Sequence, residues 1–218
     1  MGSDDLFKKR KRAAKTKHSR REGRRSAYET VLIVTEGEKT EPYYFQELIA
    51  DYRLNSANIV VDGSSNSSPS SILKHAKCLA KRAKEKGIPY DRVYCVFDKD
   101  SHACYEKTVE QIGSIREFYC VRSVPCFEYW FLLHYDYSTA SIVGTGTQSC
   151  GDNAVKALKQ YIPEYEKADI SVYHLIKPHM QFAINNAKRS LAESERNFND
   201  NPSTSVHLLV EFLINLKG

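Results

Sequence analysis

Apolar positions fall along the chain in two rhythms, short β-branched runs and longer stretches repeating near every 3.6 residues, and their alternation sets the expected order of elements. Residues 28–35 read YETVLIVT, a continuous apolar run that suits a strand buried on both faces, and it stops at the turn Glu36-Gly37. The following EKTEPYYFQELIADYR puts Tyr44, Phe45, Leu48 and Ile49 at helical spacing behind Thr40 as N-cap and Pro42 in the first turn. A short second strand over 57–62 leads into the polar GSSNSSPSS, whose last serines can cap a helix. Over 69–86, Ile72, Leu73, Ala76, Leu79, Ala80 and Ala83 share one helical face and lysines cover the other, with Gly87 as a natural stop. A third buried strand over 91–97 runs straight into Asp98-Lys99-Asp100. A helix over 106–115 and a strand over 118–124 follow.

Beyond Pro125 the rhythm changes. CFEYWFLLHY is apolar all round and reads as a buried helix, whereas STASIVGTGTQSCGDN is small and polar and reads as a loop. Residues 156–161 and 177–198 are expected to be helical, and Pro202-Ser203-Thr204 to cap a last helix over 206–216. Strands alternating with helices over short connections predict an α/β fold, with a mostly parallel central sheet covered on both faces and a helical C-terminal part. No internal repeat is visible.

Composition adds boundaries to this picture. The 218 residues, 41% hydrophobic, suffice for one domain over 28–218 behind a basic tail over 1–27. No run approaches the roughly 20 apolar residues of a membrane span, and the N-terminus lacks a secretory apolar core, so a cytoplasmic protein without membrane contact is expected. The cysteines at 78, 95, 104, 120, 126 and 150 form no C-x-x-C pair; Cys95 and Cys120 lie in strand-like runs and read as buried thiols rather than a disulfide framework.

Charge is concentrated at one end. Residues 1–25 hold eleven Lys or Arg against three acids, a charge of +8, which leaves the remaining body at −3 of the total +5. The stretch KKRKRAAKTKHSRREGRR has too little apolar surface to offset the entropy of ordering and is expected to be disordered alone. Lys9, Arg10, Lys11, Arg12, Arg20, Arg21, Arg24 and Arg25 are its candidate contacts to RNA or DNA through counterion release; a solubilising arm is the plainer reading.

The candidate chemistry is acidic. Ligands of open parallel sheets bind beyond the carboxyl ends of the strands, and here the first strand ends on Glu36 and the third on Asp98 and Asp100. Three carboxylates brought to one crevice are costly unless a cation neutralises them, and hard oxygen donors suit Mg²⁺ or Mn²⁺. Such an ion activates water against a phosphodiester. Each acid taken alone reads equally well as a helix cap or turn former. Glu128 is a fourth candidate, since it follows another strand end and stands among Phe127, Trp130, Phe131 and Leu132; a metal, a catalytic base, a helix cap or an ion pair would each account for it. Lys39 and Lys99 flank the two acidic turns and could hold a substrate phosphate or simply be solvated. His102 could relay protons, whereas His134 and His207 read as packed within helices. Gly144-Thr145-Gly146 lacks the lysine and spacing of a P-loop, and no H-E-x-x-H occurs.

At these residues the chain resembles a known family. LIVTEGEKTEPYYF, VFDKDSH, SVPCFEYWFLLH and NPSTSVHLLVEFL are similar to segments of RloB proteins, and the likeness runs from about Tyr28 to the C-terminus. The resemblance implies a Toprim-like three-layer fold, shared with topoisomerases, primases and overcoming-lysogenization-defect nucleases, in which an early Glu and a later D-x-D bind divalent metal. It implies Glu36 as general acid/base or first ligand, Asp98 and Asp100 as metal ligands, and Glu128 in the family's C-F-E segment as the residue completing the site. It further implies nucleic-acid cleavage in bacterial antiviral defence, with a partner ATPase encoded nearby. Self-association and the choice of RNA, including tRNA, or DNA stay open. Two other classes compete: a non-catalytic nucleic-acid-binding module serving the ATPase, and a D-x-D glycosyltransferase, against which the T-E-G-E turn and the short chain argue.

Overall fold

A computed structural model describes residues 29–54, 58–65, 68–99 and 102–216. Five strands form one sheet in the order β2-β1-β3-β4-β5. They are β1 Val31–Thr35, β2 Ile59–Asp62, β3 Arg92–Asp98, β4 Phe118–Val124 and β5 Ser203–Thr204. The first four run parallel, and β5 pairs antiparallel with the end of β4 through Ser123 and Val124. The mostly parallel α/β sheet expected from the sequence is therefore present, in a layout consistent with a Toprim-like fold. The helices are α1 Thr40–Asp51, α2 Pro69–Glu85, α3 Tyr105–Gly113, α4 Glu128–Leu132, α5 Cys150–Leu158, α6 Val172–Ile176, α7 Met180–Asn197 and α8 Val206–Asn215.

The two-residue period of the strands divides the core into two layers. Leu32, Val34, Val93, Cys95 and Phe97 face α2 and α3, packing on Ile72, Leu73, Ala76 and Ile112. Val31, Ile33, Tyr94, Val96 and Val121 face the other way, toward α1 and the C-terminal helices. On that second side Tyr44 and Phe45 of α1 meet Phe127 and Phe131 around α4, with ring centroids 5.3–6.0 Å apart. Edge-on aromatic contacts of this kind each contribute about 0.5–1.5 kcal/mol beyond area burial. All five residues of α4 are buried, the apolar Tyr129, Trp130, Phe131 and Leu132 together with the carboxylate of Glu128. No helix among the described residues is long and apolar enough to cross a membrane. All six cysteines are free; Cys95 is buried and Cys120 half-buried.

Beyond shifts of one to three residues at several helix ends, four differences from the sequence reading have a local reason. Thr40 is the first residue of α1 rather than its cap, the cap position being Lys39. Helix α5 starts at Cys150, inside the expected loop, because Ser149 and Asp152 form a reciprocal capping box. The helix expected over 177–198 is preceded by α6 and a 3₁₀ turn, Lys177–His179; Pro178, without an N–H, separates α6 from α7. Ser203 and Thr204 form the short edge strand, and Thr204 Oγ1 still accepts from the Val206 N–H at 3.2 Å at the start of α8.

Candidate functional site

Strand order places the crevice. From β1 the chain passes through α1 to β2 on one side, then through α2 to β3 on the other, so the order reverses between β1 and β3. At such a reversal the connections part beyond the strand ends and leave a cleft. Glu36 leaves β1 and Asp98 ends β3, side by side: the Glu36 N–H donates to Val96 O at 3.0 Å, and the Asp98 N–H donates to Glu36 Oε2 at 3.1 Å. The Glu36 carboxylate is thus oriented across the reversal point by the backbone of its neighbour.

Two further carboxylates come from the helices resting on the aromatic layer. Glu128 opens α4 and is 4% exposed; Glu41, in the first turn of α1, is 7% exposed. The close packing of the loops brings Glu41 inward. A Cβ at Gly37 would stand 2.6 Å from Glu41 Oε2, so glycine there leaves the carboxyl its space. At Gly63, in the loop leaving β2, a Cβ would stand 2.5 Å from Gly37 O and 2.8 Å from Pro42 Cγ. The β1–α1 turn is also held by Thr35 Oγ1, which donates to Gly37 O at 2.8 Å, and by Ser65 Oγ, which donates to Thr35 O at 2.7 Å.

The four acids act on one another electrostatically. Burial raises Glu41 to about 7, its own backbone amide partly opposes that rise, and the charges of Glu128 and Glu36 add to it. Asp98 is held well above the usual carboxylate range, first by burial and then by Glu41, Glu36 and Glu128, while the Phe127 amide works the other way. The Cys126 thiol is pushed up by burial and by the adjoining Glu128 and Asp98. The opposing charge comes from Lys167, whose Nζ stands 3.6 Å from Glu128 Oε1 and lowers Glu41 as well. Tyr165, two residues before it, is fully buried; among the described residues its hydroxyl has no hydrogen-bond partner, and the charges of Glu128 and Glu41 bear on it.

The donor set bears on whether a cation belongs here. Among the described residues no three carboxylate, imidazole or thiol groups converge tightly enough to hold one ion as they stand, and Asp100 lies outside those residues. The chemistry nonetheless fits a hard divalent cation: all four acidic groups offer oxygen, one lysine faces them, and the costs of ionising Asp98 and Glu41 are those an ion would remove.

The remaining candidates are dispersed. Lys39 is exposed at the head of α1 and His102 is exposed beyond β3. Lys99 is engaged by Asp200 at 2.6 Å and Glu106 at 3.6 Å. His134 and His207 are buried, and burial lowers His134 to about 4. The tail residues Lys9 to Arg25 lie outside the described residues. Glu41 and Lys167 were not legible from the sequence as site residues. Glu41 is an ordinary first-turn acid by pattern, although its place five residues after Glu36 in E-G-E-K-T-E was a usable signal; Lys167 sits in an irregular polar stretch that offered none.

Compared with known families, the chain matches the model described as RloB-like protein over residues 31–213. No curated protein and no solved structure matches it.

Proposed function

The chain belongs to the RloB-like family, and from that premise we propose that it is a metal-dependent nuclease cleaving RNA or DNA phosphodiesters in antiviral defence, together with a partner ATPase. The observation that carries this reading is the meeting of Glu36, Glu41, Asp98 and Glu128 at the reversal point of a parallel sheet, opposed by Lys167. Asp98 and Glu128 would hold Mg²⁺ or Mn²⁺, joined by Glu36 from the neighbouring strand end. When bound, the ion supplies an acidified water and stabilises charge on a phosphoryl oxygen.

The chain's own groups provide the rest. Glu41, near 7, is divided between its two protonation states at neutral pH, so its carboxyl can accept a proton from an attacking water or return one to the departing oxygen. The aromatic layer of Tyr44, Phe127 and Phe131 closes the floor beneath α1 and α4 and keeps water from that side, which strengthens each electrostatic contact above it. Lys167 would attract the substrate phosphate as it neutralises Glu128. The test is degradation of a mixed RNA and DNA pool by the purified full chain with Mg²⁺ or Mn²⁺. Activity lost in EDTA and in Asp98→Ala is expected; equal cleavage by that variant overturns the assignment.

The charge of +8 on residues 1–25 favours one second reading, a module that binds nucleic acid for the ATPase without cutting. It predicts salt-sensitive binding and intact substrate even when ATPase and nucleotide are supplied.

A further inference from the structure

Between α7 and β5 the chain carries an aromatic side chain that the fold does not use. Phe198 is 98% exposed. It caps α7 in the left-handed region, at φ 52° and ψ 31°, where glycine or asparagine would cap without the penalty a bulky side chain incurs. Neither burial nor a contact offsets that penalty, and strain kept at an exposed position points to use elsewhere.

The segment is not slack. Asn201 Oδ1 accepts from the Ile142 N–H at 3.0 Å, and its Nδ2 donates to Ile142 O at 2.9 Å. Ser141 Oγ donates to Asn201 O at 3.0 Å, and Asp200 takes Lys99 Nζ at 2.6 Å. Lys99 directly follows Asp98, so the loop presenting Phe198 is fastened to the end of β3, where the acidic crevice opens. Arg196, also exposed, precedes it by two residues and can meet a phosphate backbone, with Glu193 and Glu195 in the same turn to offset part of its charge.

We infer that Phe198 is a stacking platform for an unpaired nucleobase of single-stranded RNA or DNA, gripping the strand at the rim of the crevice. A phenyl face accepts any base and reads no hydrogen-bonding edge, so the grip is sequence-tolerant; it selects single strands because bases in a duplex are already stacked. The inference takes the crevice as the place where the strand is cut, but stacking does not depend on cutting.

The test uses the full chain in EDTA, at raised salt where the basic tail contributes least. Labelled single-stranded RNA, single-stranded DNA and duplex are titrated, and anisotropy is read. Phe198→Ala should weaken single-strand binding about 10-fold and leave duplex binding unchanged. Phe198→Trp should keep the affinity and show indole quenching by either single strand, against the background of the one other tryptophan, Trp130, which is fully buried. Phe198→Gly should bind as weakly as the alanine variant yet melt about 2–4 °C higher, since it relieves the strain. Wild-type affinity in Phe198→Ala, a lowered melting point in Phe198→Gly, or quenching of Phe198→Trp by anionic lipid vesicles and not by oligonucleotides would each overturn the inference. A chain that binds through Phe198 but never cuts refutes the nuclease reading alone; one that cuts, with binding indifferent to Phe198, refutes this inference alone.

Discussion

Glu41→Gln isolates the electrostatic strain of the crevice with almost no change in shape. The Glu41 carboxyl titrates from an ordinary value of 4.5 to about 7 in the folded chain, chiefly through burial. Its folded value is raised, so the folded state binds more protons than the unfolded one between those values. The stability it confers is therefore greatest at low pH and is lost as pH rises through 7. At about 1.4 kcal/mol per unit, this shift lowers stability by about 3 kcal/mol at pH 8, where the folded group is ionised, and by about 1 kcal/mol at pH 5, where it is protonated. Glutamine bears no such cost. In EDTA, the stability of Glu41→Gln relative to wild type should therefore rise by about 2–3 kcal/mol between pH 5 and pH 8, or about 5–10 °C in melting temperature for a domain of this size. Taking the difference between the two proteins at each pH removes titrations they share, including that of His134. Saturating Mg²⁺ should narrow the gap at pH 8 by neutralising the crevice. A difference in melting temperature that is the same at both pH values would refute the reasoning.

Other perturbations address the supports of the site. Gly63→Ala places a Cβ 2.5 Å from Gly37 O, so it should destabilise the fold by about 1–3 kcal/mol in urea unfolding and reduce cleavage by shifting the turn beside Glu41. Lys167→Met removes the cation facing Glu128; because the lysine is more than half exposed, the loss in EDTA should be no more than about 1 kcal/mol, and Mg²⁺ should recover it, both read by thermal melting. His134 has a folded value depressed to about 4 by burial, so its contribution is present above 6.5 and lost as pH falls through 4; His134→Asn should flatten stability on that acid side in pH-dependent urea titrations.

How far the sequence reveals this molecule depends on the range of the interaction concerned. Strands β1 and β3 were legible because they are buried on both sides and must be apolar at nearly every position. The α2 face and the buried α4 were legible for the same reason of local periodicity. Glu36, Asp98 and Glu128 stood out because acids interrupt apolar runs there. The pairing of Ser203 and Thr204 with β4 and the entry of Glu41 and Lys167 into the crevice depend on chain crossings, whereas the capping box that starts α5 is a local signal, Ser149 and Asp152, that a polar stretch concealed. Gly63 over Gly37 is the clearest case, two glycines whose role appears only when their loops meet. Lys99 shows the converse, since its place between the aspartates suggested a phosphate ligand whereas Asp200, a hundred residues away, engages it.

The central claim is that these carboxylates cut nucleic acid. It is tested most directly by mapping the ends of cellular RNA and DNA after expression of the wild-type chain and of Asp98→Asn, each with the proposed partner ATPase, since asparagine keeps the shape at the end of β3 and removes the charge. The account predicts discrete new ends with the wild type and none with the variant. New ends appearing equally in both, or in neither, would contradict it.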